Sequence, residues 1–106
     1  MEHRSYPRIP VHLPVHLADR EGQLGAALID SLSGGGVFIR TSRPLPIGTE
    51  LVMDIYPEEG AKPVRIRGQV VWERLIGRSD PQDGMGVRFL EPFPDDLRNL
   101  LTAKVA

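Results

Sequence analysis

The chain has 106 residues, 41% of them apolar, with a formal net charge of −1 and no cysteine. That length suits one domain around one compact core and excludes a disordered tail, and no run approaches the roughly 18 apolar residues of a membrane span. The charge excludes a nucleic-acid coat protein held by a broad basic field; the missing cysteines and the absence of an apolar stretch behind Met1-Glu2-His3-Arg4 point to the cytoplasm.

Residues 1–10 hold Pro7 and Pro10, which discourage helix, and they are expected to form a mobile N-terminal segment. Val11, Leu13, Val15 and Leu17 then alternate with His12, Pro14 and His16, the period of a strand. Pro14 cannot donate to a ladder, so an edge or a bulge is expected there. Leu24–Asp30 and Val37–Thr41 read as the next strands, joined by Ser31-Leu32-Ser33-Gly34-Gly35-Gly36. Pro44–Gly48 turns into a fourth strand, Glu50–Tyr56. Val64–Arg74 is a long fifth strand that Gly68 can bend, and Met85–Leu90 is the sixth, after a polar loop. From Pro94 to Lys104 the period becomes helical, with Leu97, Leu100 and Leu101 on one face and Asp95 and Asp96 in the first turn. Six strands with a bent fifth predict a closed barrel over 11–90, because closure removes unpaired edges, with helix 94–104 capping one end. No internal repeat or linker divides the chain.

Eleven of the thirteen cations are arginine, whose planar fork suits phosphate and guanine and stacks on flat rings. Arg4 and Arg8, four apart in an extended segment, point the same way roughly 13 Å from each other. The run from Ser31 to Gly36 combines hydroxyls with glycines, a composition that suits an anion-binding concavity or a plain tight turn. Trp72, the single tryptophan, shares parity with Val64, Ile66 and Val70, which reads as a core residue. His12 and His16 lie too far apart on one strand to share a metal. No nucleophile–base pair or metal site can be assembled, so binding rather than catalysis is expected.

Arg4-x-x-x-Arg8 at the start, then Ser33-x-x-Gly36 leading into Phe38-Ile39, resembles the PilZ domain. Val70-Val71-Trp72-Glu73-Arg74, Gly84-Met85-Gly86-Val87-Arg88-Phe89 and the closing helix extend the resemblance over nearly the whole chain. It implies an all-β, six-stranded antiparallel barrel with a C-terminal helix, and a bacterial receptor for cyclic di-GMP. Arg4, Arg8, Ser31, Ser33, Gly36 and Trp72 would then be its site. The family motif is Asp or Asn, any residue, Ser, two residues, Gly, and here Ser31 holds the acidic position. Asp30 is one residue early and would face the other side of the sheet unless a bulge intervenes. With no output domain in the chain, the response is expected to pass through an unidentified effector protein, with no cofactor, DNA, RNA or membrane insertion. The alternative is a degenerate PilZ-like adaptor that contacts proteins without the nucleotide.

Overall fold

The computed structural model describes residues 8–76 and 82–98. Six strands follow in chain order: β1 (Ile9–Asp19), β2 (Gly22–Leu32), β3 (Gly36–Arg40), β4 (Glu50–Ile55), β5 (Val64–Arg74) and β6 (Gly84–Phe89). They close into an antiparallel barrel in the order β1-β2-β3-β6-β5-β4. Pairing of Val15–Ala18 in β1 with Val52–Ile55 in β4 completes the ring. The expected six-stranded barrel is therefore the fold.

Alternation builds the core. Ile9, Val11, Leu13, Val15 and Leu17 all point inward from β1, with the exposed residues Pro10, His12, Pro14 and His16 between them. They meet Ile29, Leu32, Val37, Ile39, Met53 and Val87 in one continuous cluster. Gly68 faces inward where it is needed for space, since a Cβ there would lie 2.8 Å from Met53 Cε. Leu97, beyond β6, is fully buried in the same cluster, and Phe93 packs against that cluster. Residues 95–98 form a helical turn, while the rest of the expected helix, 99–104, lies outside the described residues. Among the described residues no helix is long and apolar enough to cross a membrane.

Two differences from the expected elements have physical causes. β1 and β2 run on to a two-residue hairpin at Arg20-Glu21, where Asp19 Oδ1 accepts the Glu21 N–H at 2.8 Å and Gly22 takes φ 130°. This ribbon stands largely exposed from residues 20 to 26, so no buried face imposes a period on its sequence. Pro14, in turn, lies on no edge. Its carbonyl accepts from Tyr56 N–H at 3.0 Å, where the β1–β4 ladder ends, so the missing N–H interrupts nothing. The neighbouring register shift falls between Pro10 and Leu13 instead.

Candidate ligand-binding face

Register places four residues in one row across the outside of the barrel. Ser31 pairs with Phe38, Phe38 with Gly86, and Gly86 with Trp72. At about 4.8 Å per strand the row spans about 14 Å. Arg40 and Arg74 form a second row, each opposite Gly84. The sheet β2-β3-β6-β5 thus carries serine, two aromatic rings and two arginines on one outer face.

A bulge decides the position of Trp72. Between Val70 and Trp72 the register against β6 shifts, with Val70 opposite Val87 and Trp72 opposite Gly86. Val70 is fully buried, whereas Val71 is exposed and Trp72 half-buried. The extra residue reverses the parity, so the indole lies outside the core. It stacks on Phe38 with centroids 5.2 Å apart and planes inclined by 20°. The Arg74 guanidinium lies 4.9 Å from the Phe38 centroid and 5.6 Å from that of Trp72, within cation–π range. Its Nε donates to the Gln82 carbonyl at 2.8 Å, which fixes it above the rings.

Arg8 comes to the other end of the row. One terminal nitrogen donates to Ser31 Oγ at 2.9 Å, across 23 residues of sequence. Two residues singled out from sequence are therefore in direct contact. Arg4 lies outside the described residues.

Ser33 and Gly36 serve the turn itself. Ser33 is buried, and its Oγ accepts the N–H groups of Gly35 and Gly36 at 3.2 Å each. Its backbone N–H donates to the Gly36 carbonyl at 2.9 Å. These donors point inward to the serine, not outward to an anion as a concavity would require. The left-handed glycines among the described residues are 22, 25, 48 and 60, none of them in this turn. Gly36 is required by close approach, because a Cβ would collide with the Val87 carbonyl on β6.

Phe38, Arg40 and Arg74 are absent from the site that the sequence suggests, although they share this face. A usable signal is Gly84-Met85-Gly86: alternate glycines in a strand leave a flat floor for neighbouring aromatics. A Cβ on Gly84 would run into the Phe38 ring, and one on Gly86 into the Trp72 indole. Two clefts lie away from this face. One of about 700 Å³ is bordered by His12, His16, Tyr56 and Glu59, the other, of about 560 Å³, by Arg20, Glu50 and Arg67. Neither cleft is bordered by Phe38, Trp72, Arg74, Ser31 or Arg8.

The PilZ domain family model matches residues 2–106. The chain belongs to the PilZ family. Its barrel is similar to the Bacillus subtilis inhibitor of motility (MotI/DgrA), with a TM-score of 0.75 and 20% identity, over 99% of this PilZ chain and 51% of that one. This chain thus spans about half the length of MotI/DgrA. It is also similar to the PilZ domain of YcgR from Escherichia coli, solved with c-di-GMP, with a TM-score of 0.65 and 18% identity over 98% of this chain and 90% of that one. Identities this low show the shared PilZ fold and nothing finer. No curated protein sequence matches the chain.

Proposed function

We propose that this PilZ domain binds cyclic di-GMP on the outer face of β2-β3-β6-β5 and passes the signal to an effector protein, in the cytoplasm and without catalysing a reaction. The observation that carries this reading is the Arg8–Ser31 hydrogen bond standing in one register row with Phe38 and Trp72. Such a row offers a charge-assisted donor for phosphate or guanine at one end and a ring to stack a base at the other. Arg4, four residues ahead of Arg8, adds a second guanidinium. The similar fold of the YcgR PilZ domain, solved with c-di-GMP, supports the choice of ligand. Ser33 and Gly36 contribute by holding the turn that delivers Ser31 and Phe38. Closing arginines over the ligand builds a new surface, and differential affinity of an effector for that surface is what transmits the signal.

A second reading is a PilZ adaptor that acts through protein contacts alone. Arg74 favours it, because the protein's own cation already occupies the space beside both rings. Calorimetric titration of the purified chain with cyclic di-GMP separates the two. Saturable binding at micromolar or lower concentration is expected; a flat titration overturns the receptor reading and leaves the adaptor.

A further inference from the structure

β2 is longer than the strand beside it. Its pairing with β3 ends at Leu28, opposite Arg40, whereas its pairing with β1 continues to Gly22. The chain leaves the sheet after Arg40, so residues 22–27 have a ladder partner on the β1 side alone. Alternation decides which groups are left over. Tyr56 N–H donates to the Pro14 carbonyl, so Pro14 and His16 turn their backbone groups toward β4, and Val15 and Leu17 turn theirs toward β2. Val15 lies opposite Ala27 and Leu17 opposite Gly25. The N–H and carbonyl of Ala26 therefore point away from β1, on the side where Leu28 meets Arg40. Among the described residues nothing hydrogen-bonds to them.

Lysine, proline or a covering loop ordinarily guards such an edge. Residues 22–27 read Gly-Gln-Leu-Gly-Ala-Ala and hold neither lysine nor proline. The register shift between Leu17 and Ala18 turns the hairpin tip aside and leaves residues 24–27 as the usable stretch. The loop after β3 stands off from it. Between loop and edge lies a cleft of about 310 Å³ that reaches the core residues Leu17 and Met85 and is bordered by Leu45 and Arg43. Leu24, on the edge side, is 43% exposed. Arg43 is exposed, and its backbone N–H donates to Thr41 Oγ1 at 3.0 Å, but its guanidinium has no partner among the described residues.

We propose that this edge and cleft take an extended segment of a partner protein as an added strand. The segment pairs with Ala26 through its backbone, sets an apolar side chain toward Leu17 and Met85, and presents an acidic side chain to Arg43. In strand addition the main chain supplies affinity, and the pockets beside it select the sequence. The same edge of a second copy, residues 22–27, carries no acid to meet Arg43. Ala26 lies about 17 Å along β2 from Ser31, so this surface is separate from the nucleotide face and serves the receptor and adaptor readings alike.

The test is titration of the isotope-labelled full chain with a short synthetic peptide that alternates valine and aspartate, followed by amide shifts and hydrogen exchange. In the free protein the Ala26 amide should exchange fast and the Leu28 amide slowly. Saturable shifts are expected at residues 24–27 and at Arg43, with exchange at Ala26 slowed by about tenfold or more. A peptide with lysine in place of aspartate should bind about fivefold or more weakly, and Arg43→Glu should reverse that preference. Ala26→Pro removes the free N–H without breaking a ladder bond and should abolish binding. Arg43→Glu changes an exposed side chain and decides the matter should Ala26→Pro not fold. Absent shifts, shifts confined to other residues, or a peptide preference unchanged in Arg43→Glu would overturn the proposal. Sedimentation showing a wild-type dimer joined through residues 24–27 would assign the edge to a second copy and overturn it as well.

Discussion

The indole of Trp72 fills the space that a side chain on Gly86 would need: a Cβ built on Gly86 collides with the indole Nε1 and Cε2. Glycine is thus the seat of the tryptophan, and the seat exists because the bulge after Val70 brings Trp72 opposite Gly86 rather than into the core. Gly86→Ala should unseat the ring. The expected cost is about 1–3 kcal/mol of stability, as for overpacking elsewhere. Denaturant unfolding measures that cost. Emission from Trp72 should shift to longer wavelength as the indole enters water, and an unshifted spectrum would contradict the packing.

Ser33→Ala separates a turn-former from a ligand contact. The Ser33 hydroxyl accepts the N–H groups of Gly35 and Gly36, so its removal leaves one buried and one half-buried donor without this acceptor. A stability loss of about 1–3 kcal/mol is expected by denaturant unfolding. Cyclic di-GMP affinity, measured where the variant is fully folded, should fall less than in Arg8→Ala. The reverse order would make Ser33 a direct contact.

Arg8→Ala should do the opposite of Ser33→Ala. Arg8 is exposed and its bond to Ser31 lies at the surface, where such cations contribute within about 0.5 kcal/mol to folding. The thermal midpoint is therefore expected to stay close to wild type while calorimetric binding of cyclic di-GMP is lost. Undiminished binding would remove Arg8 from the site.

Strand count and the barrel were readable because alternation over a closed core leaves an unambiguous period, as in Val11, Leu13, Val15 and Leu17. Arg8 and Ser31 were readable as a motif, and the structure joins them by a hydrogen bond. The two bulges were not readable. Period two, continued past Val70, places Trp72 in the core, and continued past Ile29, where the register of β2 against β3 shifts, it separates Asp30 from Ser31. A bulge is selected by pairing with neighbours distant in sequence, and local pattern does not carry that information. Phe38 was hidden for a related reason, since Val37-Phe38-Ile39 reads as one apolar run although the middle ring faces outward under Trp72.

Acid should weaken two ion pairs remote from the site. Glu91 accepts the Arg67 backbone N–H at 2.9 Å and its guanidinium Nε at 3.2 Å, and these contacts hold its carboxyl below the ordinary 4.5. Asp54 lies below its ordinary 3.8, chiefly through hydrogen bonds from Arg65 at 2.8 and 3.0 Å, with burial acting in the opposite direction. A lowered folded value means that the stabilisation is complete above the unfolded value and is lost as pH falls through the folded one. Wild type should therefore be more stable than Glu91→Gln by a constant small margin above about pH 5.5, and that margin should close below about pH 4.5. Thermal midpoints across that range check it, and a margin that widened in acid would reverse the assignment.

Trp72→Phe tests the stacking end of the row. The indole is half-buried outside the core cluster, stacked on Phe38, with the Arg74 guanidinium beside both rings. A phenyl ring retains contact with Phe38 and still covers Gly86, so the loss of stability should stay below about 1.5 kcal/mol, as for a shape-tolerant apolar exchange. Base stacking, by contrast, depends on the area and polarisability of the ring that the indole supplies. Cyclic di-GMP should bind more weakly by about 1–3 kcal/mol, the range for aromatic–base stacks. The wild type offers an independent reading of the same contact, because Trp72 is its single tryptophan. Saturating ligand should quench or shift its emission as a base replaces water or Arg74 against the ring. Emission blind to a ligand that calorimetry shows to be bound, together with full affinity in Trp72→Phe, would place the bound base away from Trp72 and leave Arg8 and Ser31 at the other end of the row as its anchor.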